Sequence, residues 1–169
     1  MKRTQREHCD ARAAQSEEDG FTLLELMMVV AIIGILITVL APTFLAASSR
    51  AKDRAMQASL KNATTGAKSF YFAKADFSNV PPSSLSAETG GVVFVAAAAA
   101  PTGQNSVSVF GFNATQMFLA GQSKSGTCFY VLDDEAAGTT KYAKAAGGPS
   151  GCAANGSPIP SDPSWQATW

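Results

Sequence analysis

The chain has 169 residues, 13 basic against 13 acidic side chains, a single His and three Cys. Balanced charge lacks the basic excess of a nucleic-acid-binding domain. Its 46% hydrophobic content is distributed very unevenly, so composition must be read segment by segment.

Residues 1–20 are mostly polar. Lys2, Arg3, Arg6 and Arg12 stand there against Glu7, Asp10, Glu17, Glu18 and Asp19, and the segment closes on Gly20. The chain then turns apolar at once, and from Phe21 to Ala47 the one ionisable side chain is Glu25. As a helix this run reaches roughly 40 Å at about 1.5 Å per residue, beyond the ~30 Å hydrocarbon core of a bilayer. It shows no polar stripe of the kind that marks a helix half-buried in a soluble domain. A membrane-inserted helix is therefore expected. A secretory signal peptide has a short basic start and an apolar stretch of about 7–15 residues; the acidic residues before this run and its greater length disfavour that reading. Small residues do follow it, at Ala41, Ala46 and Ala47. Lys2, Arg3 and Arg6 favour a cytoplasmic N-terminus, Arg50, Lys52 and Arg54 oppose it, and the Ser/Gly/Ala-rich remainder has the texture of an exported domain.

A carboxylate in hydrocarbon costs at least ~2.5–3.5 kcal/mol on insertion scales and calls for a partner. No Lys, Arg or His lies within the apolar run. Two readings of Glu25 stand side by side. Cleavage after Gly20 would place a terminal amine on Phe21, one helical turn away or on a neighbouring chain. Alternatively, Glu25 sits at headgroup level, where the start of a helix favours negative charge.

Gly20-Phe21-Thr22-Leu23-Leu24-Glu25-Leu26 closely resembles the class III signal of type IV pilins and pseudopilins. The resemblance is dense over residues 20 to about 45. It implies that Gly20 is the last leader residue, cut by a prepilin peptidase on the cytoplasmic side, and that Phe21 becomes the N-methylated first residue. It implies that Glu25 meets the Phe21 amine of an adjacent subunit during assembly. Gly34 and Pro42 fall where such helices loosen or bend inside filaments, in keeping with the helix-weakening of Gly and interior Pro, about 1 and ~3 kcal/mol. The leader is longer and more acidic than the short basic leaders of many pilins.

Removal of residues 1–20 discards His8 and Cys9. The remaining chain has no imidazole for a Ser-His-Asp triad, a Cys-His pair or a His-containing zinc site. It has no GxGxxG, Walker loop or HExxH, and an enzyme, a metal site or a cofactor is not expected. Cys128 and Cys152, an even pair in an exported chain, read as a disulfide worth roughly 3.5 kcal/mol on chain-entropy grounds. A half metal site or a catalytic thiol lacks partners.

Downstream, Met56, Leu60, Ala63, Ala67, Phe70 and Phe77 form one helical stripe, with Arg50, Lys52, Arg54, Lys61, Lys68 and Lys74 largely off it. The helix is expected to continue to about Asp76 and stop before Pro81-Pro82. Arg50, Lys52 and Arg54 face lipid headgroups, acidic groups of a neighbouring subunit, or simply solvent. Past the Pro pair, residues 92–96, 107–112, 127–132 and 139–143 read as strands, the last two as a hairpin. Residues 115–120 read as a helical turn. Asp133, Asp134 and Glu135 lack calcium-loop spacing and read as a solvated acidic turn. The tail from Ala146 reads as irregular, pinned by Cys152, with Trp165 and Trp169 docking on the sheet. Phe70 and Phe77 read as core rather than as a conductive aromatic path. Asn62, Asn113 and Asn155 open N-glycosylation triplets, a weak pattern.

The expected fold is α+β, pilin-like. A long N-terminal helix, apolar in its first half and amphipathic in its second, packs on a small C-terminal antiparallel sheet. The expected organisation is a removed leader over 1–20, a transmembrane and filament-core helix over 21–45, an amphipathic helix half over 46–78 and a β-rich head over 79–169. The resemblance implies a structural subunit of a type IV pilus, or alternatively a pseudopilin of a type II secretion or competence apparatus. Its partners would be copies of itself, the prepilin peptidase and the pilus assembly machinery of the cytoplasmic membrane, with an extracellular filament as the final location. No specific nucleic acid is expected. A monomeric, single-pass binding module is the third reading, and it requires an uncleaved N-terminus.

Overall fold

The computed structural model describes residues 20–147, 152–154 and 165–169. The leader with His8 and Cys9, and the Asn155 triplet, lie outside the described residues. The chain divides into two units, one ending at Ala41 and one running from Pro42 to Trp169.

The first unit contains the start of helix α1 (Leu23–Lys74). Thr22 precedes the helix, and every large apolar side chain from Phe21 to Leu40 is exposed. This helix is long and apolar enough to cross a membrane, judged by length and composition. α1 is assigned as helix through both Gly34 and Pro42.

In the second unit the helix changes task. Met56, Leu60, Ala63 and Ala67 of the expected stripe are fully buried, joined by Ser59, Thr64 and Gly66, while Phe70 is half-buried. The small residues let helix and neighbours approach closely: a Cβ on Gly66 would lie 1.7 Å from Thr89 Cγ2. The helix ends slightly before the expected point, at Lys74, because Ala75 adopts a left-handed φ of 55°. Its N–H returns to the Tyr71 carbonyl at 2.6 Å, an αL cap usually built with Gly. Phe77 therefore enters the core from the turn, not from the helical stripe; it is fully buried, and its ring lies 4.8 Å from that of Tyr71.

A short helix absent from the sequence expectation follows, α2 (Pro82–Glu88). The Pro pair does more than stop α1. Pro81 is extended and Pro82 takes the first helical turn, where its missing N–H costs nothing. Leu85 anchors α2 in the core.

Five strands complete the unit: β1 (Val93–Ala96), β2 (Ser106–Gly111), β3 (Gln116–Gln122), β4 (Thr127–Asp134) and β5 (Thr139–Ala146), in spatial order β1-β2-β3-β4-β5. Two expectations need correction. The sheet is mixed rather than antiparallel, because β1 runs parallel to β2. Residues 97–105 form a long return loop in place of a hairpin turn, so the chain re-enters the sheet in the same direction. And β3 is a central strand where a helical turn was expected. Met117, Leu119 and Ala120 favour helix locally, but strands on both sides supply the backbone with ladders, and packing overrides propensity.

Period-2 alternation loads both faces. Met117, Leu119, Phe129 and Val131 join α1 in one core, while Phe118, Ala120, Cys128 and Tyr130 form a second with Cys152 and Ala154. The tail covers that second face. Cys128 and Cys152 are disulfide-bonded, the Ala154 N–H donates to Ser108 Oγ at 3.0 Å, and Trp165 meets Phe118 edge to face at 6.2 Å. Trp169 packs on Phe129 and Tyr142. Gln166 exchanges two backbone hydrogen bonds with Tyr142 on the β5 edge.

The Ala75 cap gives a direct test. Gly removes the Cβ clash of the left-handed conformation, which costs about 1–2 kcal/mol, against a smaller entropic loss. Ala75→Gly should raise unfolding stability by about 1 kcal/mol in denaturant titration; a drop in midpoint would contradict the cap.

Candidate functional site

The junction at Gly20-Phe21 is exposed, Phe21 to 84%. Two residues on, the helix start is closed by a reciprocal pair. The Glu25 N–H donates to Thr22 Oγ1 at 3.2 Å, and the Thr22 N–H donates back to Glu25 Oε2 at 2.9 Å. The Thr22 hydroxyl also donates to Oε2 at 2.8 Å. This is a capping box, in which residues three apart satisfy donors that the first helical turn leaves open. The box is a third role for Glu25, beside an amine partner and the helix dipole, and Thr-Leu-Leu-Glu carries its T-x-x-E spacing in the sequence.

The box explains how a carboxylate is tolerated at the head of an apolar segment: it serves the backbone of its own chain. An ionised carboxylate offers about four lone-pair sites. Glu25 is exposed and both donors from Thr22 go to Oε2, so the group retains capacity to accept from an amine. The Phe21 nitrogen is a peptide amide while Gly20 is attached, and the amine contact requires cleavage. Gly34 and Pro42 are exposed within α1.

A second polar cluster differs from the sequence expectation. Asp133, expected in a solvated acidic turn, is fully buried. Lys68 of α1 sits between two carboxylates, 3.0 Å from Asp133 Oδ1 and 2.9 Å from Glu135 Oε1. The Thr140 hydroxyl donates to the same Asp133 oxygen at 2.6 Å, and Oδ2 is buried without a donor. Burial pushes the Asp133 carboxyl up, against the pull of Thr140 and Lys68. Burial works against the charge on Lys68 as well, yet its two carboxylate partners leave its pKa raised. Asp134 points to a different environment. The Gln116 amide at 2.7 Å and the Ala137 N–H at 3.0 Å hold its carboxyl below the ordinary range. Among the described residues no group of three or more His, Cys, Asp or Glu is arranged to hold a metal ion.

Comparison with known proteins bears on the junction. The family described as the prokaryotic N-terminal methylation motif matches residues 16–41. The chain is 46% identical over 63 residues to the type IV major pilin protein PilA of Myxococcus xanthus, a match over 36% of this chain. The matched stretch spans 29% of that relative's own length. No solved structure matches the chain.

The Lys68 cluster yields a signed prediction. Asp133 is buried while Lys68 is a third exposed, so Lys68→Met should lose about 1–3 kcal/mol in denaturant unfolding at neutral pH, between the values for exposed and fully buried pairs. Without its cation, Asp133 would bind a proton more tightly folded than unfolded, and acidification then favours the folded state. The deficit should shrink as pH falls from neutral toward the carboxylate range, and Asp133→Leu added to Lys68→Met should recover most of it. A deficit independent of pH would show that lost packing, not the stranded charge, is responsible.

Proposed function

We propose that this chain, which over its N-terminal segment belongs to the type IV pilin family, is a structural subunit of a type IV pilus. The observation that carries the proposal is a bilayer-length apolar stretch of α1, its large side chains exposed, that begins inside the methylation motif with a capping-box carboxylate at its head. Such a surface is stable in lipid or against copies of itself, and in water it is not.

The sequence of events follows from that chemistry. In the cytoplasmic membrane, α1 spans the bilayer once, and a prepilin peptidase cuts after Gly20. The new Phe21 amine is methylated and meets Glu25 of a neighbouring subunit, setting the axial register between helices. The assembly machinery then moves the apolar helices from lipid into a filament core, with the heads on the surface. Gly34 and Pro42 are where α1 loosens within that core. The Cys128–Cys152 disulfide holds the tail on the head outside the cell, where thiols oxidise.

The first measurement is the intact mass of the native protein. It should start at a singly methylated Phe21; a chain retaining Met1, or starting beyond Ala41, would falsify the reading. The second separates the two tasks of Glu25. Glu25→Ala should be inserted and cleaved normally yet form no filaments under electron microscopy. Thr22→Val, which keeps the carboxylate and weakens the cap by about 1 kcal/mol, should still assemble. Loss of filaments in both would reduce Glu25 to a helix-start residue. Surface filaments from the parent strain distinguish a pilus from the pseudopilus of a secretion or competence apparatus, whose subunits carry the same N-terminal chemistry.

A further inference from the structure

Carboxylates in the unit from Pro42 onward are placed unevenly along α1. At Asp53 the helix meets the β3–β4 turn, where the Ser125 hydroxyl donates to the Asp53 carboxylate. At Lys52 it meets the β1–β2 loop, where the Gln104 amide donates to the Lys52 carbonyl at 3.3 Å. At the opposite end of β4, the β4–β5 turn meets α1 at Lys68, roughly 22 Å further along at about 1.5 Å per residue. The carboxylates Asp133, Asp134 and Glu135 belong to that far end, and Asp76 follows the helix terminus.

The near end is basic. Arg50, Lys52 and Arg54 come from α1 and Lys124 from the β3–β4 turn. Lys144 lines one groove with Asp53 and Gln57. Arg50, Arg54, Lys124 and Lys144 are exposed. Among the described residues the one carboxylate at this level is Asp53, already engaged by Ser125. Just before the cluster, Phe44 and Leu45 are 72% and 67% exposed. The apolar run thus passes directly into a ring of cations drawn from three separate elements.

We propose that Arg50, Lys52, Arg54, Lys124 and Lys144 form a collar that binds the phosphodiester headgroups of anionic phospholipids where α1 leaves the bilayer. The proposal rests on the membrane-anchored stage of the reading above. The length agrees: the apolar run of roughly 40 Å exceeds the ~30 Å hydrocarbon core and ends within the headgroup layer, at ~40–45 Å total. Continuity with the apolar segment is what selects lipid over a second copy of the chain, whose far-end carboxylates stand beside Lys68, Lys74 and Lys141. A basic side chain near an anionic surface raises association about fivefold, so a collar of five gives a large effect even when several cations remain hydrated. The collar holds the head close against the membrane surface until assembly withdraws the helix.

The test uses the full chain reconstituted in phosphatidylcholine vesicles, with spin-labelled phosphatidylglycerol and spin-labelled phosphatidylcholine compared by electron paramagnetic resonance. The anionic probe should associate with the protein about fivefold or more over the neutral one, and the ratio should fall toward one in high salt. Arg50→Gln, Arg54→Gln and Lys124→Gln together should bring the ratio near one. Lys61→Gln, Lys74→Gln and Lys141→Gln, the same charge change at exposed positions away from the collar, should leave it high. Equal association of the two probes with the parent overturns the collar, and so does equal loss in both triple variants. A parent indifferent to lipid charge whose collar variant inserts but builds no filaments would assign the surface to a second copy instead. Failure of the parent to insert at all sinks the membrane reading itself, and the collar with it.

Discussion

From Leu23 to Leu45 every large apolar side chain of α1 is exposed, and water is not a stable solvent for that surface. Each fully buried Leu, Ile, Val, Phe or Met gains roughly 1.5–3 kcal/mol over its exposed state. A segment with so many of them calls for apolar cover, such as lipid or other apolar helices. The start of that segment has to be polar enough to terminate it and quiet enough to enter a bilayer. Thr22 and Glu25 meet both demands by consuming each other's hydrogen-bonding groups.

Because the first unit contributes no core of its own, the second must be stable by itself. It achieves this by burying both faces of a five-stranded sheet. Residues of β3 and β4 alternate between the helix-side core and the tail-side core, so the central strands are hydrophobic throughout. Gly121 is needed because Met56 of α1 lies over it: a Cβ there would stand 2.1 Å from the Met56 methyl. At Gly111 the neighbour is the Phe77 carbonyl oxygen at 1.7 Å, which is backbone and less able to yield. The disulfide and Trp165 finish the second face, Trp169 packs on the helix-side core, and Gln166 closes part of the β5 edge that would otherwise offer free backbone groups.

Polar groups in the second unit divide into those that lock and those that face outward. Lys68, Asp133 and Glu135 tie the helix to the β4–β5 turn. Ser125 and Asp53 tie it to the β3–β4 turn. These two attachments fix how the sheet lies along α1, and therefore which charges gather at each end. The Arg50, Lys52 and Arg54 cluster is unremarkable as three charges on one helix. With Lys124 and Lys144 brought to the same level it becomes a surface.

The apolar run, the Glu within it, the helical stripe from Met56 to Ala67 and the Cys128–Cys152 pair were legible in the sequence, because each depends on local periodicity, counting or compartment. The capping box is written in the sequence too, in the T-x-x-E spacing, which is local. Other features were not local. β3 became a strand because β2 and β4 offered its backbone two ladders. β1 joined in parallel because a long loop carried the chain back to the same end. Asp133 was buried because β4 placed it against Lys68, 65 positions earlier in a chain where nothing in the acidic triplet itself names its partner. What the sequence determined alone is where this protein must leave water and how that segment begins, since hydropathy and capping act over a few residues. The tertiary structure decided which polar groups are buried and which charges stand together, because both depend on contacts between elements far apart in the chain.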